Sequence, residues 1–176
     1  MEQELIDIYD ANKNKTGKTI NREDIDKLNE DEYIIVSHCW IINSSKQILL
    51  TQRSLTTNRG GKWEDTHGGV RAGETSQEGM IRELKEEIGI DISKNELQLI
   101  KTMKRESRFR DIYVVKKDVS LDDISFNDGE VMDCKYVTLD EFKEMIEKGE
   151  CSFKSFEQTI FYDNDIDNMV GKEVEG

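Results

Sequence analysis

Apolar and polar positions follow three different rhythms along this chain, and each rhythm predicts a different kind of element. Residues 4–9 (ELIDIY) alternate as a strand does, and the DANKNKTGK that follows reads as a polar turn. EYIIVSHCWIIN and KQILLTQRS are almost continuously apolar, the mark of strands buried on both faces, so both are expected in the middle of a sheet. Asn43, Ser44 and Ser45 between them predict a hairpin. Further along, ELQLIKTMK, RDIYVVKKDV and EVMDCKYVT read as strands, and TLDEFKEMIEKG as a helix opened by a Thr138–Glu141 capping box and closed by Gly149. A last helix is expected in SFKSFEQTIFYDND, with Phe156 and Ile160 facing inward.

The rhythm changes to a helical one after Gly68, in GGVRAGETSQEGMIRELKEEIGI. Thr75 and Glu78 form a capping box, and Gly89 stands where a left-handed residue ends a helix. At about 100° per residue Ile81, Leu84 and Ile88 share one side, while Glu83, Glu86 and Glu87 lie roughly opposite. Three carboxylates on one face repel one another, and a hard divalent cation taking their oxygens turns that repulsion into attraction. Gly79 falls on the carboxylate side, where a missing side chain leaves room for a metal or a phosphate. Arg82, four residues before Glu86, is close enough to pair with it. A solvated acidic helix face is the competing reading of the glutamates alone.

The longer pattern separates the two readings. Gly68, Glu74, Arg82, Glu83, Leu84, Glu86, Glu87, Gly89 and Ile90 occupy every specified position of G-x₅-E-x₇-R-E-U-x-E-E-x-G-U, with U aliphatic. This resembles the box of the Nudix hydrolases. The resemblance implies an α/β fold, the Nudix α/β/α sandwich around a mixed β-sheet, with the box as a loop–helix–loop. It implies Mg²⁺ or Mn²⁺ held by Glu83, Glu86 and Glu87, one of them a possible general base, with Arg82 orienting a glutamate and Glu74 structural or a weaker ligand. Gly68 and Gly69 would let the loop backbone approach the helix and the bound phosphates. A further catalytic glutamate often lies outside the box in this family, and Glu130, in DGEVMD, is the candidate here. The activity implied is hydrolysis of a phosphoanhydride in a small-molecule diphosphate, such as a nucleoside diphosphate derivative.

Over residues 4–145 the chain is also similar to the Nudix branch that includes isopentenyl-diphosphate isomerase. Aligned through Trp63 and the box, the isomerase's catalytic cysteine falls at His67 and its following metal-binding histidine at Gly69. Hydrolase is therefore favoured over isomerase. A Nudix fold kept only for ligand binding is a third reading, which the intact acidic triad disfavours.

Composition narrows the partners. A single domain is expected over residues 1–165, with 1–31 as an N-terminal strand and turn extension and 166–176 as a flexible tail. A formal net charge of −13 argues against nucleic acid, and the absence of a long apolar run argues against a membrane, so a cytoplasmic protein is expected. Homodimerisation, common among Nudix relatives, stays open. Against this acidity, Lys101, Lys104, Arg105, Arg108 and Arg110 form the densest basic cluster. Arg108 and Arg110 there, with Arg53 at the end of its strand, are candidates for phosphate contact. Trp63 is expected to pack against the loop, His67 to contact metal or substrate or simply to hydrogen-bond, and His38 to sit in the core or face across the sheet. Cys39 and Cys134, in strand-like runs, are expected to be buried small apolar residues.

Overall fold

The two long apolar runs become adjacent strands, and the remaining elements are arranged around them. In a computed structural model, residues 3–155, 158 and 159 are described. The strands are β1 (Leu5–Tyr9), β2 (Lys15–Asn21), β3 (Ile34–Ile42), β4 (Ile48–Arg53), β5 (Trp63–Glu64), β6 (Thr66–Gly69), β7 (Gln98–Arg105), β8 (Arg108–Lys116) and β9 (Val131–Val137). The helices are α1 (Ser76–Ile88) and α2 (Leu139–Glu147). The main sheet runs β5-β4-β3-β8-β7, with β6 added on β3 and β9 on β4. β3 is thus central, as its hydrophobicity predicts. The β3–β4 turn closes with Lys46 N–H on the Asn43 carbonyl at 3.0 Å, Lys46 itself being left-handed at φ 60°.

Two compact units make up the chain. The first comprises Met1–Cys39, His67–Lys85 and Asp91–Val114, the second Trp40–Thr66, Glu86–Ile90 and Val115–Gly176; β3, β8 and α1 contribute residues to both.

In the first unit, Tyr9, Ile35, Val70 and Phe109 form a buried cluster with Tyr33 against it. β1 and β2 pair antiparallel as a separate two-stranded sheet. Its attachment is specific: Tyr9 and Tyr33 exchange backbone hydrogen bonds of 2.7 and 2.9 Å. Lys13, left-handed at φ 64°, donates to the buried Asp111 at 2.6 Å, and the Thr102 hydroxyl donates to the same carboxylate at 2.7 Å. The hairpin also grips the loop leading into α1. Ala72 N–H donates to the Leu5 carbonyl at 2.8 Å, Gly73 N–H to Asp7 Oδ2 at 2.9 Å, and Arg71 Nε to Glu4 at 3.1 Å. The expected polar turn over residues 10–18 is therefore shorter than its composition suggests. β2 begins at Lys15 and is mostly exposed, so pairing with β1, not an apolar face of its own, makes it a strand.

In the second unit, the Trp40 ring lies 5.6 Å from both Phe142 and Phe153. Phe142, Met145 and Ile146 turn the apolar side of α2 inward, and the Thr138–Glu141 capping box is present in full. Cys151 is buried, as is Cys39 of the first unit, and burial pushes the Cys151 thiol up to about 11. Cys134 departs from expectation. It is only half-buried, because β9 buries just its ends, Val131 and Val137. The helix expected over residues 152–165 lies largely outside the described residues, and the tail 166–176 wholly so.

Candidate active site

The α1 helix is set by its ends. Thr75 N–H donates to Glu78 at 2.8 Å and Glu78 N–H to the Thr75 hydroxyl at 3.2 Å, which satisfies donors a free helix end leaves open. Gly89 ends the helix at φ 72°. Met80, Leu84 and Ile88 are its fully buried residues, so the inward stripe begins at Met80, with Ile81 half-buried at its margin.

The acidic face is not solvated. Glu83 and Glu87, one turn apart, are only 8% and 6% exposed, while Glu86 is half-exposed. A carboxylate taken out of water costs several kcal/mol unless opposite charge or hydrogen bonds compensate. For Glu83 part of that compensation is Arg82. Its guanidinium donates to Glu83 at 2.8 Å, to both oxygens of Glu74 at 2.7 and 3.0 Å, and to the Gly69 carbonyl at 2.9 Å. Burial works against the charge on Arg82, but the bonds to Glu74 and Glu83 outweigh it and raise its pKa further. Burial likewise opposes ionisation of Glu74. The Arg82 bond and the Arg71 amide, 2.9 Å away, nonetheless hold its carboxyl below the usual range. Glu74 thus behaves as a brace for Arg82.

Gly68 lies against this network. A Cβ built on it would collide with the Glu83 carboxylate, so only glycine lets the β6 backbone come this close. Gly69 has no such constraint, since a Cβ there would meet Ile6 at an ordinary 3.7 Å. Gly79 corrects the sequence reading. The space beside it is taken by Val70 and Glu74, 3.2 and 3.3 Å from a Cβ, so it packs the loop onto the helix and leaves no room for a ligand.

The remaining candidates are spread over both units. Glu130, exposed, precedes β9; its N–H is held by Asp128 at 2.9 Å and its carbonyl by Ser54 N–H at 2.8 Å. Arg53 donates to the buried Glu64 at 2.7 Å and to the Asn58 carbonyl at 2.6 Å, a structural engagement of the group proposed for phosphate. Arg108 lies beside Glu106 at 3.7 Å and borders an open cavity of about 560 Å³ shared with Arg22, Glu23, Asp26 and Ser107. Arg110 pairs with Met103 across the β7–β8 hairpin. Lys104 is spent on structure, its ammonium 4.4 Å from the Tyr33 ring centre. Trp63 is covered by the Lys135 ammonium at 4.3 Å. His38 and His67, read separately in the sequence, are stacked with ring centres 4.8 Å apart. That contact depends on β6 lying beside β3, which no local pattern announces.

Comparison with known proteins agrees with the box. The sequence profile of the NUDIX domain matches residues 33–156. An uncharacterized Nudix hydrolase of Listeria monocytogenes is 32% identical over 146 residues, 82% of this chain and 85% of its own. An isopentenyl-diphosphate Delta-isomerase of Salmonella heidelberg is 30% identical over 95 residues, 53% of this chain and 51% of its own. A crystal structure from Deinococcus radiodurans superposes with a TM-score of 0.71 at 21% identity, covering 96% of this chain and 98% of that one.

Proposed function

The chain belongs to the Nudix hydrolase family, and from that premise we propose that it is a Mg²⁺- or Mn²⁺-dependent pyrophosphohydrolase, cutting the phosphoanhydride of a small-molecule diphosphate such as a nucleoside diphosphate derivative. The observation that carries the reading is the burial of Glu83 and Glu87 on a face that also bears Glu86. A face evolved for solubility keeps its carboxylates in water. One that withdraws two of three calls for a hard cation with oxygen ligands. The donor set fits: all three are carboxylates, and Gly68 lets the β6 backbone lie directly against Glu83.

In this reading Glu83, Glu86 and Glu87 would hold the metal, which would neutralise phosphoryl charge and make water a better nucleophile. Arg82 fixes the Glu83 rotamer through its 2.8 Å bond and is itself held by Glu74. The Gly68–Gly69 backbone lines the approach of the diphosphate. A carboxylate within reach of the attacking water takes its proton, Glu130 and the box glutamates being the candidates. Arg108 and Arg110 contribute positive charge toward a terminal phosphate. Arg53, already shared between Glu64 and Asn58, would reach a phosphate only by giving up one of them.

The experiment is a panel of nucleoside diphosphate sugars, nucleotides, prenyl diphosphates and thiamine diphosphate, assayed for phosphate or diphosphate release with and without Mg²⁺. Metal-dependent release from at least one class is expected, with Glu87→Gln lowering kcat by about 10²-fold or more while the fold is kept. Near-normal turnover in that variant removes Glu87 from the chemistry. The isomerase reading draws on the Salmonella relative, but the family resemblance aligns the isomerases' catalytic cysteine with His67 and their following metal-binding histidine with Gly69. Conversion of isopentenyl to dimethylallyl diphosphate without phosphate release would decide for it.

A further inference from the structure

The open cavity beside Arg108 takes none of its described lining from the box, and all of that lining lies in the first unit. One wall is the 3₁₀ helix Arg22–Lys27 with Leu28 at its end, and the other is the β7–β8 turn at Ser107 and Arg108. In a 3₁₀ helix, residues three apart eclipse one another. Arg22 and Ile25 thus share one row, which Leu28 continues, and Glu23 and Asp26 share the next; both rows face the space. The turn opposite is fixed by Ile34 N–H, which donates to the Ser107 carbonyl at 3.1 Å. The cavity volume, about 560 Å³, falls within the range of roughly 300–1,000 Å³ that small-molecule sites occupy.

The lining sorts by chemistry. Two guanidiniums match a dianion, and their forked N–H groups suit phosphate oxygens. Two carboxylates accept hydrogen bonds from hydroxyl groups, as acidic side chains do from ribose, and repel a second anion. Ile25 and Leu28, both half-buried, add apolar surface. We propose that this cavity binds a small phosphomonoester with a hydroxylated body, such as a sugar phosphate or a nucleoside monophosphate. The phosphate lies on Arg22 and Arg108, the hydroxyls on Glu23 and Asp26, and the apolar edge of the body on Ile25 and Leu28. A guanidinium has five N–H donors, so Arg22 keeps its 3.0 Å bond to Glu4 while taking a phosphate oxygen. Arg108 stands 3.7 Å from Glu106, longer than a hydrogen bond, and a phosphate at bonding distance outcompetes that contact. The phosphate comes either from a separate ligand or from the far end of the hydrolase substrate.

Calorimetry on the whole protein in the presence of a chelator measures binding while the carboxylate face holds no metal. Ribose 5-phosphate and AMP are expected to bind with one equivalent each, and inorganic phosphate, ribose and adenosine about tenfold or more weaker. Arg108→Ala should weaken both phosphomonoesters by about tenfold or more. Glu23→Gln combined with Asp26→Asn should erase the preference for ribose 5-phosphate over inorganic phosphate. Arg22 is a poor probe, because its partner Glu4 also takes Arg71 of the loop before α1, at 3.1 Å. Leu28→Trp fills the space, spares that pair and should abolish binding; circular dichroism checks the fold, and Ser107→Met replaces it if it unfolds. A kinetic arm identifies the source of the phosphate, using Mg²⁺ and a diphosphate that the protein hydrolyses. Competitive inhibition by AMP that disappears in Leu28→Trp assigns the cavity to the substrate's far end, whereas turnover indifferent to AMP assigns it to a separate ligand. Only this arm rests on the hydrolase reading, so the two fail separately. Calorimetry showing no binding of either phosphomonoester, or binding that survives both Leu28→Trp and Arg108→Ala, overturns the proposal.

Discussion

A methyl group at position 68 has nowhere to go, because the Glu83 carboxylate already fills the place a Cβ would take. Gly68→Ala is therefore expected to push Glu83 off its Arg82 bond and to cost about 1–3 kcal/mol, as overpacking does. Turnover should fall at least about tenfold, and a urea titration alongside steady-state kinetics measures both. Wild-type kinetics in this variant would separate the Gly68–Glu83 contact from catalysis. Gly69→Ala, with ordinary contact to Ile6, is the matched control for the stability change. At this scale the sequence was legible wherever a motif fixes a spacing. Both capping boxes and the helix end at Gly89 fall where their pattern requires. Long-range partners were not legible. Arg82's bond to Glu74, the Val70 and Glu74 atoms packed beside Gly79, and the stacking of His38 on His67 all depend on where the chain folds back.

Among the elements, the N-terminal hairpin carries more than its composition suggests. β1 read clearly from its alternation. β2 did not, since exposed KTGKTIN has no apolar face and becomes a strand only through its partner. The hairpin fastens to β8 by Lys13–Asp111 and to the loop before α1 through Leu5, Asp7 and Glu4. Lys13→Ala leaves the Asp111 carboxylate, 2% exposed, with the Thr102 hydroxyl but without its cation, and should destabilise by about 1–3 kcal/mol. Replacing both residues by apolar ones, Lys13→Met with Asp111→Leu, should recover much of that loss. Chemical denaturation of the two variants checks it. A single-variant loss below the experimental error would reduce the ion pair to a surface contact.

Across the whole molecule, charge sets the response to pH and salt. Burial opposes ionisation of Glu4, Asp7 and Glu74, but bonds from Arg22 and Arg71 to Glu4, from the Gly73 amide and Lys15 to Asp7, and from Arg82 to Glu74 bring each below its ordinary value. A carboxyl whose pKa is lower folded than unfolded stabilises the fold above the unfolded value. That contribution is lost as pH falls through the folded value. The urea midpoint should therefore drop as pH is lowered from about 5 toward 3, and Asp7→Asn and Glu74→Gln should each flatten the fall. A midpoint that rises with acid over that range would contradict these assignments. A net charge of −13 also repels itself, so moderate salt should raise the midpoint at neutral pH by screening.

The most direct test of the metal assignment is anomalous diffraction from crystals soaked in Mn²⁺. A peak about 2.0–2.3 Å from oxygens of Glu83, Glu86 and Glu87, and lost in Glu87→Gln, is the result predicted. Anomalous density confined to other sites, with these three carboxylates turned away from any ion, would contradict it.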